Sequence, residues 1–324
     1  LIDGESLIWA EGFGYTDHTK RHRVTADTLF SLQSISKTYT ATGFLIAASK
    51  GLVKLDDPLK KYYSEFRVNS RFGEGEADKI TFRHLLSHRS GLTHEAPVGN
   101  NYSDRECTFE EHIESISETW LKFPVGERYS YSNLGMDLVG YALQRISEKP
   151  FTEYMREELF EPLVMTNSTY DQRYVRESLV FARGYRGDDE VPPDLIPMIP
   201  AGSLFSTAKD MAKFVSFHLS GGIVHGRRLI DKDLLWEMYR QQFQVKNQVC
   251  GYGLGVGQGW LFNTVFLDHS GGGYGYLTLQ KWSPRYKIGA IVLTNQQYHS
   301  NVHVSIANEA LGKMLKVKYG SVLE

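Results

Sequence analysis

The sequence predicts an α/β (α+β) fold, in which strands from both chain ends form one antiparallel sheet flanked by helices. Between the strand-forming ends, the sequence has mainly helical patterns separated by long loops. We therefore expect a sheet domain made of residues 1–58 and 201–324, and a helical domain, residues 59–200, inserted between them. Runs of strand-forming residues support this, at 6–10, 264–267, 276–282 and 288–293.

The first fifty residues predict a hairpin followed by a helix. Asp3-Gly4 is a strong turn dipeptide, and the strand 6–10 follows it. A first strand of only two residues is short, so we expect that the natural protein has residues before Leu1. Residues 34–50 predict a helix that ends at Gly51, because glycine is the usual residue after a helix C-terminus.

Further helices and one connector are predicted along the rest of the chain. Residues 188–200 are rich in proline and acidic residues, which indicates an extended connector. Residues 283–286 form a predicted hairpin turn. The remaining helices are predicted at 132–147, 152–163, 206–219 (capped by Ser206 or Thr207) and 302–315.

Composition excludes several classes of protein. The chain has 324 residues, of which 41% are hydrophobic and 23% charged, and its net charge is −2. This balance gives no indication of a nucleic-acid partner, and no apolar run is long enough for a transmembrane segment. Cys107 and Cys250 are far apart and lack metal-type spacing, so they indicate neither a disulfide framework nor a metal site.

Ser34-Ile35-Ser36-Lys37 is the most informative motif. A hydroxyl and an amine three residues apart at a helix start share one face, with Cβ atoms about 5–6 Å apart. A lysine whose pKa is lowered toward neutrality can take the proton of such a serine, which produces a nucleophile for acyl transfer. The alternative is a helix N-cap followed by a solvated lysine.

Two further segments carry possible chemistry. Tyr131-Ser132-Asn133 offers a phenol for proton relay and an amide for substrate binding, or else a helix start with a buried tyrosine. His269 to Gly273 offers glycines through which a backbone N–H could face an oxyanion, or else a flexible turn with a surface histidine.

His84 and His88 lie four residues apart, but the chain lacks the glutamate of H-E-x-x-H and a third ligand. We therefore favour a structural role and expect no metal.

Taken together, Ser34-x-x-Lys37, Tyr131-x-Asn133 and His269-x-Gly271 resemble the serine β-lactamase and penicillin-binding protein superfamily. The resemblance is to the class C β-lactamase-like branch, with the D-aminopeptidases, DD-peptidases and family VIII esterases. It covers nearly the whole chain and implies a β-lactamase/transpeptidase-like fold with its site between sheet and helical domain. Flanking segments agree with it: 28–30, 81–92, 123–126 and 201–207.

The resemblance also implies a role for each motif residue. Ser34 would be the nucleophile, Lys37 its activator and Tyr131 the proton relay. The oxyanion hole would use the backbone N–H groups of Ser34 and Gly272. The residues assigned to substrate binding are Asn133, His269, Gly271 and Gly272.

One departure shapes the functional prediction. β-Lactamases usually have lysine where this chain has His269, so a permanent cation for a substrate carboxylate is missing. We therefore predict a serine acyl hydrolase that acts through an acyl-enzyme on a small ester, an amide or a peptide with a D-residue. The alternatives are a β-lactamase or DD-carboxypeptidase, and a catalytically weak penicillin-sensing or scaffold protein. No cofactor is expected, relatives are frequently exported, and oligomeric state and location stay open.

Overall fold

The computed structural model describes residues 1–100, 106–178, 180–191, 197–243, 251–297 and 301–320. Its strands are β1 (Ile2–Asp3), β2 (Ser6–Leu7), β3 (Phe30–Ser31), β4 (Tyr185–Arg186), β5 (Asp189–Glu190), β6 (Phe205–Ser206), β7 (Ile223–Val224), β8 (Arg227–Arg228), β9 (Gly251–Tyr252), β10 (Gly257–Leu261), β11 (Thr264–Gly273), β12 (Tyr276–Ser283) and β13 (Ile288–Thr294). Its α-helices are α1 (Ser36–Ser49), α2 (Phe82–Leu86), α3 (Phe109–Ser115), α4 (Asn133–Ser147), α5 (Phe151–Met155), α6 (Gln172–Ser178), α7 (Ile199–Gly202), α8 (Ala208–Leu219), α9 (Lys232–Tyr239) and α10 (Val302–Tyr319). Short 3₁₀ segments lie at Gln33–Ile35, Leu59–Lys61, Glu76–Lys79 and Ile116–Glu118, and a π-helical turn at Arg156–Phe160.

The main sheet is antiparallel and is built from both chain ends, as predicted. Its strand order is β2-β1-β13-β12-β11-β10-β9, so the N-terminal hairpin pairs with the last strand of the chain. Ile2 stands opposite Gly289 in that pairing. The two-residue strand β1 thus has a partner on each edge, β2 and β13.

Helices cover both faces of this sheet. Leu311 and Leu315 of α10 pack against Phe266, Leu279 and Ala290 on one face. On the other face, Trp282 is fully buried with Leu267 in the main core. Gly289 lies beneath α8 on this second face, where a Cβ would stand 2.7 Å from Cγ1 of Val215. The close approach of α8 to β13 thus depends on a glycine.

Helix α1 runs through the middle of the molecule. Every residue from Ser36 to Ala47 is buried, so the helix has no solvent-facing side. It contacts α4, α7 and α9. It ends at Ser49 with Lys50 as its C-cap, and Gly51 follows with φ +75°, as the sequence predicted. A helix that is enclosed on all sides holds its first turn in a fixed place, and Lys37 lies in that turn.

The other predicted helices are confirmed with changes at their ends. Ser132 caps α4 and Thr207 caps α8, each accepting a hydrogen bond from the backbone three residues on. The last helix continues to Tyr319, and the helix predicted at 152–163 is divided between α5 and the π-helical turn.

Several strand predictions differ from the structure. The predicted strand 6–10 is reduced to β2, and β11 extends through the whole glycine motif. β9 and β10 were not predicted, because the three glycines they contain are poor strand formers. The predicted connector 188–200 contains β5 and the start of α7. Residues 192–196 of it lie outside the described chain, as do most of the loops 99–107 and 241–250 and Cys250.

The division into two domains stays a prediction, and α7 crosses its boundary at residues 200 and 201. No helix in the described ranges is both long and apolar enough to cross a membrane.

Candidate active site

Ser34 is held in a tight backbone turn just before α1. Gln33 has a left-handed φ of +53°, which is rare for a residue with a side chain. The side-chain amide nitrogen of Gln33 donates to Ser31 Oγ at 2.7 Å. The Ser36 hydroxyl donates to the Gln33 carbonyl at 2.6 Å and accepts from the Leu204 N–H at 3.1 Å. These bonds fix the backbone turn that carries Ser34.

Lys37 lies directly behind Ser34 and is fully buried. Its Nζ is 3.1 Å from Ser34 Oγ and 2.8 Å from the Ala201 carbonyl oxygen. Burial lowers the pKa of Lys37 to about 7, against the opposing charges of Asp137 and Glu95. A large fraction of the amine is therefore neutral near pH 7 and is able to accept a proton. The alternative of a solvated lysine is wrong.

Tyr131 completes a group of three side chains around the Ser34 hydroxyl. Its hydroxyl interacts with the Ser34 side chain, and Lys37 Nζ is 4.9 Å from the centre of its ring. Burial raises the pKa of Tyr131 well above its usual value, and only the interaction with Ser34 opposes this. The phenol therefore keeps its proton near neutral pH. It can pass a proton along, while the amine of Lys37 is the stronger candidate for the base.

A chain of hydrogen bonds fixes two histidines next to this group. The Ser132 N–H donates to His88 Nδ1 at 3.2 Å, so the proton of His88 is on Nε2. That N–H faces the Tyr252 hydroxyl at 3.2 Å, and the hydroxyl lies 3.1 Å from His269 Nε2. His269 Nδ1 is 2.8 Å from the Ser270 carbonyl oxygen and carries the proton there. Every donor in this chain has an acceptor when both rings are neutral.

His269 therefore contributes no positive charge. Burial, together with the charge of Lys37, lowers the pKa of His269 to about 3. Burial also lowers the pKa of His88, with Lys37 and His269 adding to the effect. A lysine at this position would be a cation, whereas the buried, singly protonated imidazole of His269 is not.

Asn133 opens α4 and faces a carboxylate that the sequence analysis did not single out. Its side-chain nitrogen donates to Glu95 Oε1 at 2.8 Å and lies 3.5 Å from the sulfur of Met198. The same carboxylate oxygen is 2.9 Å from His94 Nδ1. The position assigned to substrate binding is thus paired with an acidic side chain.

The two glycines assigned to the site have different surroundings. A Cβ on Gly271 would stand 2.1 Å from the Leu32 carbonyl oxygen, so β11 needs glycine there to pack against the chain that leads to Ser34. Gly272 is exposed, with only the Leu277 side chain near its Cβ position. β10 pairs with β11 only as far as Asp268, so β10 does not pair with the glycine motif. The motif lies within β11, so the alternative of a flexible turn is wrong.

Several residues around the site were not identified from sequence. His88 had a signal in its spacing from His84, but that pair is not a metal site. His84 instead belongs to the capping box of α2 with Thr81. Glu95 and Tyr252 had no recognisable signal. In the described chain, no group of three or more His, Cys, Asp or Glu side chains is arranged to hold a metal ion.

The chain is similar to several known proteins. It is 28% identical to the D-alanyl-D-alanine-carboxypeptidase/endopeptidase AmpH of Escherichia coli (strain K12), over 91% of this chain and 78% of that protein. It is 30% identical to Beta-lactamase-like protein 2 of Dictyostelium discoideum, over 68% of this chain but only 41% of that protein's length. The octameric penicillin-binding protein homologue from Pyrococcus abyssi superposes with a TM-score of 0.83 at 26% identity, covering 97% of this chain and 72% of that one.

A family model described as Beta-lactamase matches residues 1–311, nearly the whole chain. The fold predicted from the motifs agrees with the structural match. The chain therefore belongs to the Beta-lactamase family, within the serine β-lactamase and penicillin-binding protein superfamily.

Proposed function

We propose that this protein is a serine acyl hydrolase that forms a covalent acyl-enzyme on Ser34. The observation that carries the proposal is the 3.1 Å contact between Ser34 Oγ and the buried Lys37 amine. An amine with a pKa of about 7 is well matched to general-base work near neutral pH. The carboxypeptidase activity in the name of AmpH is of the same general kind.

The reaction proceeds in two halves. Lys37 takes the Ser34 proton as Oγ attacks the substrate carbonyl carbon, and the resulting oxyanion is held by the N–H groups of Ser34 and Gly272. The tetrahedral intermediate then expels its alcohol or amine, which receives the proton of Lys37 through Tyr131. In the second half, water attacks the acyl-enzyme as Lys37 takes its proton, and Lys37 returns that proton to Ser34 Oγ as the carboxylic acid leaves.

The charges at the site favour a small ester, an amide or a peptide with a D-residue over a β-lactam. His269 is neutral, and the Glu95 carboxylate next to Asn133 repels the carboxylate that a penicillin carries. The similarity to AmpH favours a second candidate, a DD-carboxypeptidase. A penicillin-sensing protein without turnover is the third.

An intact-mass time course separates these functions. The parent and Ser34→Ala are each mixed with p-nitrophenyl acetate, a D-alanyl-D-alanine peptide or benzylpenicillin. We expect a transient acetyl adduct and product release with the parent, and neither with Ser34→Ala. A Ser34→Ala protein that hydrolyses the ester at the parent rate would contradict the proposal.

Ser49→Ala is a matched control, because it removes a hydroxyl at the other end of α1. A lasting penicillin adduct without ester turnover would instead identify a sensor, and release of D-alanine as the fastest reaction would identify the carboxypeptidase.

A further inference from the structure

A second ionisable pair lies near the Lys37 amine, connected to it through Ala201. His112 of α3 and Asp137 of α4 both have side chains with no exposed surface, and His112 Nε2 is 3.1 Å from Asp137 Oδ2. Asp137 is four residues after Asn133, so it lies one turn further along the helix that Asn133 begins. Neither residue belongs to the three motifs of the family resemblance.

The pair is connected to Lys37 through one residue of α7. Asp137 Oδ1 accepts a hydrogen bond from the Ala201 N–H at 3.0 Å, and the Ala201 carbonyl accepts from Lys37 Nζ at 2.8 Å. The carboxylate thus holds the backbone that orients the amine. Because all these groups are buried, the charge of Asp137 also reaches the amine with little screening.

The hydrogen bonds determine how many protons the pair carries. His112 Nδ1 is 2.8 Å from the Val98 carbonyl oxygen, which only accepts, so this nitrogen is protonated. The contact between Nε2 and Asp137 requires one more proton. Burial lowers the pKa of His112, but the hydrogen bond and charge of Asp137 outweigh burial and raise it. Burial raises the pKa of Asp137. The pair therefore keeps this proton and is neutral in sum.

We propose that His112 and Asp137 are positioning residues for Lys37: Asp137 fixes the Ala201 carbonyl that orients the amine, and His112 neutralises the carboxylate so that it does not hold the amine as a cation. This inference rests on the proposed function, in which Lys37 must be neutral to activate Ser34. Without the proton of His112, the uncompensated carboxylate would keep Lys37 charged to higher pH.

Other groups that act on the same amine must be held constant in any test. Tyr131 is in contact with Lys37 and keeps its proton. Cys107 and His112 both lie next to Gly99. The titratable groups whose charges act on Lys37 or are acted on by it are Glu95, Asp137, His88 and His269.

Two substitutions that keep much of the side-chain shape are expected to shift the pH profile in opposite directions. In Asp137→Asn, the amide oxygen still accepts from Ala201 and the amide nitrogen donates to a neutral His112, but the negative charge is gone. In His112→Gln, the side-chain nitrogen reaches the position of Nε2, so a donor to Asp137 remains but the positive charge is gone. We expect the acid limb of the kcat/KM profile for p-nitrophenyl acetate to move down by about one pH unit in Asp137→Asn and up by a similar amount in His112→Gln.

The experiment measures this limb together with the titration of Lys37 itself, by NMR of protein labelled with ¹³Cε-lysine and assigned with Lys37→Arg. Opposite shifts in the two variants support the inference. Shifts in the same direction, or none, overturn it. His218→Asn is the matched control, because it removes another buried histidine, one bonded to Thr42 and Tyr239, and it is expected to leave the limb unmoved.

The NMR titration separates this inference from the proposed function. If Lys37 titrates with the opposite shifts but Ser34 forms no acyl adduct, the positioning role stands and the hydrolase function fails. If Ser34 is acylated but Lys37 titrates alike in all variants, the positioning role fails. Where His112→Gln does not fold, Asp137→Asn alone must still move the limb downward.

Discussion

Two networks of buried histidines lie near Lys37, and only one of them contains a carboxylate. The presence of this carboxylate decides whether the histidine is charged. His88 and His269 are linked by the Tyr252 hydroxyl, and their hydrogen bonds are complete when both rings are neutral. His112 is equally buried but faces the Asp137 carboxylate and has a raised pKa. Burial alone removes the proton from a histidine, whereas burial beside a carboxylate retains it. Histidine is thus uncharged in the network that contains Tyr252 and positively charged in the network that contains Asp137.

The largest expected effect is on activity, and it comes from removing the Lys37 amine, which lies near both networks. Lys37→Met keeps much of the volume of the side chain but removes the base and the hydrogen bonds to Ser34 and Ala201. We expect kcat/KM for p-nitrophenyl acetate to fall by about 10²–10⁴-fold, the usual contribution of a general base. Steady-state kinetics measure the loss, and circular dichroism checks the fold. Lys50→Met at the end of α1 is the control, and a Lys37→Met protein with the activity of this control would remove Lys37 from the mechanism.

The next effect tests whether Tyr252 joins the two neutral rings. Tyr252→Phe leaves the N–H of His88 without its acceptor and Nε2 of His269 without its donor. We expect the free energy of unfolding, measured with urea, to fall by about 1–3 kcal/mol, the cost of unsatisfied buried polar groups. Tyr129→Phe removes a neighbouring hydroxyl outside this link and is the comparison. Equal stability of the two variants would show that the hydroxyl does not join the rings.

The smallest effect concerns the pH dependence of stability. His269 has a pKa of about 3 in the folded protein and near 6.5 when unfolded, so between these values the unfolded chain binds more protons. Its contribution to stability is therefore lost as the pH falls below about 6.5, and His269→Gln should flatten this slope by up to about 1.4 kcal/mol per pH unit.

His112 acts with the opposite sign, because its folded pKa is raised. The stability that it contributes is present below its unfolded pKa and is lost as the pH rises through its folded pKa. His112→Asn should thus flatten the decline above about pH 6.5 and leave the acid side unchanged. Urea unfolding between pH 4 and 9 measures both variants. Slopes that change in the same window for both would contradict the assignment of one neutral and one proton-bearing network.

The sequence was sufficient for the antiparallel sheet built from both chain ends and for the proximity of Ser34 and Lys37, but not for the surroundings of these two residues. Ser34 and Lys37 could be paired because helical spacing is a local property. The link from Asp137 through Ala201 to Lys37 depends on how α4, α7 and α1 pack, which no local pattern records. The glycine motif could be recognised by resemblance, but its place within β11 could not, because glycine-rich segments have low strand propensity.

The contact between Gly271 and the Leu32 carbonyl has a consequence for how such a site can change. The strand and the segment that carries Ser34 meet backbone against backbone at Gly271, and the Thr278 hydroxyl donates a hydrogen bond to the same Leu32 carbonyl. His269, Glu95 and Tyr252 lie outside this contact. Under the proposed function, we therefore expect that exchanging these three side chains alters substrate preference and leaves Ser34 in place relative to the strand.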